Sequence, residues 1–454
     1  METSRLAGTV ASLLPRAREE LAELVAFRSV ADPEQFPPEE CHAAARWIAD
    51  TLRAEGFVDV ALLDTPDGTQ SVYGRLPGPA GAPTVLLYAH YDVQPPLDEE
   101  AWHSPPFQLT ERDGRWYGRG AADCKGGLVM HLLALRALRA HGEVPVEVKL
   151  IVEGSEEQGT GGLERYAEDH PELLAADAVV VGDAGNFRAG QPTITTALRG
   201  MALIRVEVET LRGNLHSGQF GGAAPDALAA LIRMLDSLLA EDGSPAVEGL
   251  RADGAWQGMD YPEEEFRADA GVLDGVRLVG SDGVADRIWA RPSVTVLGID
   301  CPPVVGATPS VQARARALVS VRVPPGQDAQ EAAKAVTAHL EAHIPWGARV
   351  SIEAQGEGQP FHTDTGGPAY AALAEALSEA YGKPAVAAGM GGSIPLCNTL
   401  STLYPEAELL LIGLSEPEAW IHAVNESVSP QELERLALAE ALFLRKVPEA
   451  LRGR

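Results

Sequence analysis

Apolar residues recur at helical spacing over residues 38–55, where Ala43, Ala44, Trp47, Ile48 and Leu52 fall on one face and predict an amphipathic helix. Leu128, Leu132, Leu135 and Leu138 keep a second helix in phase over residues 127–141. The mildly apolar stretch 6–14 runs on into Arg16, Arg18, Glu19 and Glu20, which reads as another amphipathic helix and not as a secretion signal. Shorter runs have a different character. Residues 58–63 predict a strand, and residues 83–89 are almost continuously apolar, the mark of a central strand buried on both faces. Residues 144–152 alternate and then become apolar, and residues 178–181 are a further apolar run. Strands alternating with helices predict an α/β layer architecture with a mostly parallel central sheet flanked by helices.

Near residue 190 the pattern changes. Strands are expected at 201–208, 318–323 and 349–354 and helices at 225–239 and 329–342, an order that suits a small two-layer α+β domain. Residues 240–292, rich in charge and glycine but holding Trp256, Tyr261, Phe266 and Trp289, read as a long insertion packed on that domain. After residue 362 the first pattern returns, with a helix at 369–381, a strand at 408–413 and a closing helix at 430–446. The expected organisation is one discontinuous domain, 1–190 and 362–454, with a second domain, 191–361, inserted in it. No internal repeat is visible.

Composition narrows the function classes. A chain of 454 residues with 45% hydrophobic and 22% charged positions belongs to the folded, enzyme-sized globular class. Its formal charge of −29 argues against nucleic acid and anionic membrane as partners, since both are bound by neutralising phosphates with Lys and Arg. No run approaches the ~18 apolar residues of a membrane span. Cys41, Cys124, Cys301 and Cys397 are scattered without a C-x-x-C pair, which suggests neither a disulfide framework nor a thiolate zinc site and fits a reducing, cytoplasmic setting.

Candidate chemistry collects where α/β sheets place it, just beyond the carboxyl ends of strands. His90 and Asp92 follow the run ending at Ala89, Glu156 and Glu157 follow the run ending at Val152, Asp183 comes two residues after Val181, and His422 lies in a loop after the strand at 408–413. Asp123 sits in the glycine-rich turn Gly118-Arg-Gly-Ala-Ala-Asp-Cys-Lys-Gly-Gly127 that leads into a helix. Each alone has an ordinary explanation as a solvated pair, a helix cap or a turn residue. Their joint occurrence at strand ends does not. Imidazole and carboxylate without thiolate suit Zn²⁺, Mn²⁺ or Co²⁺ in a catalytic site. Two such ions, about 3.5–4 Å apart, polarise a carbonyl and activate water between them. One carboxylate must bridge the ions and another must stay off them to take the water's proton, a division that the adjacent Glu156 and Glu157 can make.

At these residues the chain resembles the M20 metallopeptidases, and in the long segment 240–292 their carnosinase-like dipeptidase branch. The motifs are Ala-His90-Tyr-Asp92-Val, Gly118-Arg-Gly-Ala-Ala-Asp123-Cys-Lys-Gly, Glu153-Gly-Ser-Glu156-Glu157-Gln-Gly, Gly182-Asp183, Leu215-His216-Ser-Gly218 and Gly391-Gly-Ser-Ile-Pro395. The resemblance implies that His90, Asp123 and Asp183 hold one metal ion and that Asp123, Glu157 and His422 hold the other. Glu156 is then the general base and Asp92 the residue that orients His90. The peptide bond after the bridging aspartate, here Asp123–Cys124, is implied to be cis. The inserted domain is implied to be a lid and dimerisation domain of a homodimer, with His216 reaching the partner subunit's site to stabilise the oxyanion. Arg322, Gly392 and Ser393 match positions that bind the substrate's terminal carboxylate. One motif departs from the family: Thr-Val-Ile-Pro is replaced by Ala307-Thr308-Pro309-Ser310-Val311, one residue out of register. His42, His103, His131, His141, His170, His339, His343 and His362 match no site position and read as surface or core residues.

The function expected is hydrolysis of the amide bond of dipeptides or short peptides. An N-acyl amino acid deacylase or carboxypeptidase of the same family is the alternative, and a non-catalytic metal-binding regulatory protein is the alternative from another class. Asp183 favours the first, because the family's aminopeptidases and dipeptidases tend to carry aspartate there, and its deacylases glutamate. The presence of Glu156 and of all the ligand positions speaks against the last.

Overall fold

The computed structural model describes residues 2–142 and 144–452, and the chain divides into two compact units. The first comprises residues 1–196, 363–388 and 394–454; the second comprises 197–362 and 389–393.

The first unit is built on a mixed sheet in which strands follow the order 58–64, 70–76, 147–153, 84–90, 178–181, 408–411 and 193–198. Its centre is parallel: Glu147–Glu153, Thr84–His90, Ala178–Val181 and Glu408–Leu411 all run the same way. These are the continuous apolar runs, and Val85 to His90 are buried without interruption, as strands covered on both faces must be. The flanks are antiparallel, through Gln70–Leu76 on one side and Thr193–Leu198 on the other. Neither flanking strand was expected from the pattern. In Gln70–Leu76 the interleaved Gly74 and Arg75 break the apolar run that marks a strand.

Helices Glu2–Ala26, Lys125–Arg139 and Pro430–Leu451 contribute to one continuous apolar core with the sheet. The helix Glu39–Ala54 buries Ala44, Ala45, Ile48, Ala49 and Leu52, carries Glu39 and Glu40 in its first turn where the helix dipole favours them, and is followed by Gly56 at φ +81°. Because the four central strands are parallel, their carboxyl ends share one edge. His90, Glu156, Glu157 and Asp183 emerge there together, and the loop that follows Leu411 begins there too.

The second unit contains a four-stranded antiparallel sheet in the order Ser293–Asp300, Arg314–Val323, Gly200–Glu209, Arg349–Gly358. Alternate residues Ala202, Ile204, Val206 and Val208 point into a core shared with helices Ala227–Asp236 and Ala329–Ala342. This is the two-layer arrangement that the period of the sequence implies. The strand Ser293–Asp300 was not anticipated, because its alternation is lost: both Val296 and Leu297 are exposed. Residues 240–292 form mostly irregular chain organised by aromatics, with Trp289 5.1 Å from Trp256 and 5.8 Å from Tyr261 between ring centroids. Trp289 also lies so close to Gly389 that a β-carbon there would come within 2.5 Å of its ring. Among the described residues no helix is long and apolar enough to cross a membrane.

Candidate metal centre

His90 ends its strand fully buried, with Nε2 3.1 Å from Asp123 Oδ1 and 3.1 Å from Asp183 Oδ1. On the other side of Asp123, Oδ2 lies 3.0 Å from His422 Nε2, which in turn lies 3.2 Å from Glu157 Oε2. Asp123 therefore offers one oxygen to each of two groups, His90 with Asp183 and Glu157 with His422. Glu156 belongs to neither. Its Oε2 is 3.9 Å from His90 Nε2, and among the described residues no hydrogen bond holds its side chain.

The thiol of Cys124 also lies near His90 and Asp183. It donates to Gly182 O at 3.2 Å, and burial raises its pKa well above the ordinary thiol range. The Asp123–Cys124 peptide bond is cis.

Backbone contacts explain how these side chains are aimed. Asp92 is fully buried; Oδ1 accepts from Glu156 N–H at 3.1 Å and Oδ2 from Glu157 N–H at 3.0 Å. His90 Nδ1 lies 3.0 Å from the main-chain oxygen of Asp92 and 3.4 Å from its carboxylate. The carboxylate of Asp92 thus holds the Glu156–Glu157 turn at least as firmly as it orients His90. Gln94 Nε2 donates to Glu157 Oε2 at 2.9 Å, a contact that sequence reasoning missed. It also missed Glu426, whose carboxylate anchors the turn bearing Asp123, because that contact joins segments some 300 residues apart. In the loop leading to it, Trp420, His422 and Asn425 adopt φ of 51°, 61° and 64°, left-handed values uncommon for non-glycine residues, of which asparagine and histidine accept them most readily and tryptophan least.

Charge is the outstanding property of the cluster. Burial alone opposes a charged His90, yet Asp183 and Asp123 raise its pKa well above the imidazole value. Hydrogen bonds to Asp123 and Glu157 raise His422 to about 10. Burial raises Asp183 to about 6, and for Asp123 the bonds to His422 and His90 outweigh burial and lower it. Burial, then Asp183, raises Glu156 well above the carboxylate range. The metal-free chain recruits protons on both imidazoles to balance its carboxylates. A divalent cation in each place would satisfy the same oxygens while leaving the imidazoles neutral, so the donor set fits two such ions.

The remaining expected residues lie in the second unit. His216 is exposed, and its Nδ1 accepts from Gly218 N–H at 3.1 Å. Arg322, on the strand Arg314–Val323, is half-buried, and burial lowers its pKa. Burial, then Arg322, lowers Arg199 to about 10. Arg199 donates to Ser293 Oγ at 3.3 Å and would lie 3.3 Å from a β-carbon on Gly391, while its Nε is buried without a partner among the described residues, as is Ser393 Oγ. Arg199 was not singled out from sequence. Its signal was a lone cation between the apolar strands at 193–198 and 200–209.

The profile of peptidase family M20/M25/M40 matches residues 86–446. A cysteinylglycine-S-conjugate dipeptidase of Corynebacterium striatum is 46% identical over 435 residues, covering 94% of this chain and 95% of that protein. The structure of human carnosine dipeptidase 1 superposes with a TM-score of 0.84 at 25% identity over 99% of each chain. That of the Saccharomyces cerevisiae dipeptidase Dug1p has a TM-score of 0.85 at 24% identity over 98% of each chain, a likeness of fold.

Proposed function

The chain belongs to peptidase family M20/M25/M40, and we propose that it is a metal-dependent dipeptidase that hydrolyses dipeptides with a free amino terminus. The observation that carries this reading is the placing of Asp123 between two His/carboxylate groups while Glu156 stays outside both. His90, Asp123 and Asp183 would hold one ion, and Asp123, Glu157 and His422 the other. Zn²⁺ and Mn²⁺ both suit these donors, and Co²⁺ does too. Such a pair would supply Lewis acidity toward the peptide carbonyl and would make water nucleophilic at neutral pH.

Glu156 takes a proton from the attacking water and returns it to the departing nitrogen as the carbon–nitrogen bond breaks, so that the products are an acid and an amine. Asp92 keeps Glu156 in place through the backbone. Asp183, one methylene shorter than glutamate, leaves room for a substrate ammonium, which the surrounding carboxylates attract. An N-acyl group gains nothing from them. Arg322, Gly392 and Ser393 are assigned to the substrate's terminal carboxylate, and Arg199 beside Arg322 adds a second cation to that recess. The strong likeness to a cysteinylglycine-S-conjugate dipeptidase supports S-substituted cysteinylglycine as a substrate class.

We assign His216 to the oxyanion of the partner subunit's site. A homodimer through the second unit is supported by the edge strand Ser293–Asp300, which exposes Val296, Leu297 and Ile299. The four cysteines are free, which fits a reducing compartment.

A screen of dipeptides against their N-acetylated forms, with Mn²⁺ or Zn²⁺ supplied, tests the proposal. The expected result is a kcat/KM at least about tenfold higher for the free amine, roughly 1.4 kcal/mol of transition-state binding, across several side chains. Equal or better cleavage of the acetylated compounds transfers the assignment to a deacylase.

A further inference from the structure

We propose that Glu426 is the positioning residue of the metal centre: its carboxylate clamps the turn that carries Asp123 to the loop that carries His422, and thereby sets the affinity for the ion between them. The inference rests on the reading of Asp123 and His422 as ligands.

Glu426 is completely buried, and its two oxygens collect four donors. Oε1 accepts from the N–H groups of Ala122, at 3.0 Å, and of Asp123 itself, at 3.1 Å. Oε2 accepts from Gly120 N–H at 3.0 Å and from the Arg119 guanidinium at 2.8 Å. The main-chain oxygen of Glu426 accepts from Gly118 N–H at 3.0 Å, so Glu426 takes the N–H groups of four of the six residues of the turn 118–123, while Arg119 N–H goes to Pro106 O and Ala121 N–H to Gly118 O. Arg119, equally buried, closes the clamp from the other direction: its Nη2 donates to Ala423 O, one residue beyond His422, and to Pro95 O, each at 3.1 Å.

Three backbone N–H groups aimed at one carboxylate form the same kind of nest that binds anions in loops, here occupied by the protein's own side chain. A hydrogen bond to an ionised partner contributes about 1.5–3 kcal/mol, and a buried N–H left without one costs about 1–3 kcal/mol. The turn therefore has one strongly favoured position, in which Asp123 Oδ2 stands 3.0 Å from His422 Nε2. Residues that orient a ligand in this way usually alter metal affinity about 10–100-fold when replaced.

Glu426→Gln keeps the size and removes half the acceptor capacity. Whichever way the amide turns, its NH₂ faces two donors. Titration of the metal-stripped protein with Mn²⁺ should show one of two ions bound at least about tenfold more weakly. The kcat lost at limiting Mn²⁺ should return in excess Mn²⁺, with KM for a dipeptide unchanged within about twofold. Glu426→Asp keeps the charge but shortens the reach, so it should weaken the same ion to a smaller degree; it decides the matter alone if the Gln variant does not fold.

Glu408→Gln provides the control. Its buried carboxylate also accepts two backbone N–H groups, those of Ala369 and Tyr370, but at the opposite end of the sheet. It should lower the Tm of the metal-free protein and leave Mn²⁺ affinity alone. Wild-type affinity for both ions in the Glu426 variants overturns the inference, as does an equal loss of affinity in Glu408→Gln. Asp123→Asn run alongside separates the two levels: if it too binds both ions normally, the ligand assignment fails and the clamp has nothing to position.

Discussion

In the first unit the carboxylates of Asp92, Asp123, Glu156, Glu157 and Asp183 converge on two imidazoles, while in the second Arg199 stands beside Arg322 with two buried polar atoms, Arg199 Nε and Ser393 Oγ, lacking partners among the described residues. Both regions bury an excess of charge of one sign. They differ in how far the fold itself relieves it. The carboxylate cluster is held by backbone N–H groups through Asp92 and Glu426, and each ligand oxygen already has a geometry. At the arginine pair the one side-chain hydrogen bond among the described residues runs from Arg199 to Ser293 Oγ. A rigid, pre-aimed set suits ions that demand fixed ligands, whereas a looser cationic recess suits one end of a substrate that arrives and leaves. Elsewhere the chain disposes of buried charge internally, as where His131 meets Glu440 at 2.7 Å with both fully buried. The excess of one charge in each of these two regions is what supports an external partner for it.

The largest effect that can break this comparison lies in the cluster. Glu156→Gln should lower kcat by about 10²–10⁴-fold while two ions per chain remain bound, because Glu156 is assigned to proton transfer and Glu157 to ligation. Activity near wild type removes Glu156 from the mechanism. A fall in metal content would instead make it a ligand. The same variant reads out His216: mixed with inactive His216→Ala chains, it should regain activity in heterodimers if His216 serves the partner subunit's site.

Much of the cluster was legible in the sequence because its residues sit at the ends of strands whose continuous apolar runs are hard to mistake. His90 follows such a run directly, and Asp183 stands two residues beyond another. The parallel centre of the sheet then does the rest, since parallel strands must deliver their ends to one edge. What stayed hidden depends on contacts with no local signature. Gln70–Leu76 completes the sheet through pairing and not through pattern. Glu426 looks like any surface glutamate until the turn 118–123 is folded onto it. Arg199 is visible as a lone cation among apolar residues, but its proximity to Arg322 requires the pairing of Met201 with Arg322 across two strands.

The arginine pair supplies a smaller, sharper test. Arg322→Ala should reduce kcat/KM for a dipeptide about thirtyfold, the equivalent of roughly 2 kcal/mol for one hydrogen-bonded charge, and should barely alter the rate for the corresponding dipeptide amide. Arg199→Ala should act in the same direction with a smaller loss. If dipeptide and amide suffer equally, the recess does not read the terminal carboxylate, and the second half of the comparison fails.

The smallest effect concerns stability and pH in the metal-stripped protein. His422 is raised to about 10, so the stabilisation it gains from Asp123 and Glu157 is fully present below the unfolded imidazole value near about 6.5 and is lost as pH rises through about 10. Asp183, raised to about 6, binds its proton more tightly in the fold, so its contribution is present below about 3.9 and is lost as pH rises through about 6. Both act in the same sense, so through these two groups the metal-free chain weakens toward alkaline pH, while fully buried Lys125, lowered to about 7 by burial, acts in the opposite sense above that value. His422 is about half exposed, with 53% of its side chain accessible, so solvent screening reduces its share and the expected fall in Tm between pH 6.5 and 9.5 is a few degrees. With Mn²⁺ bound, these groups are already deprotonated, and the fall should disappear. The stabilisation conferred by Mn²⁺ should accordingly be greatest at the alkaline end, where no proton has to be displaced. A metal-free Tm that rises with pH, or a loaded protein that falls in parallel, would mean that protons do not occupy the places assigned to the ions.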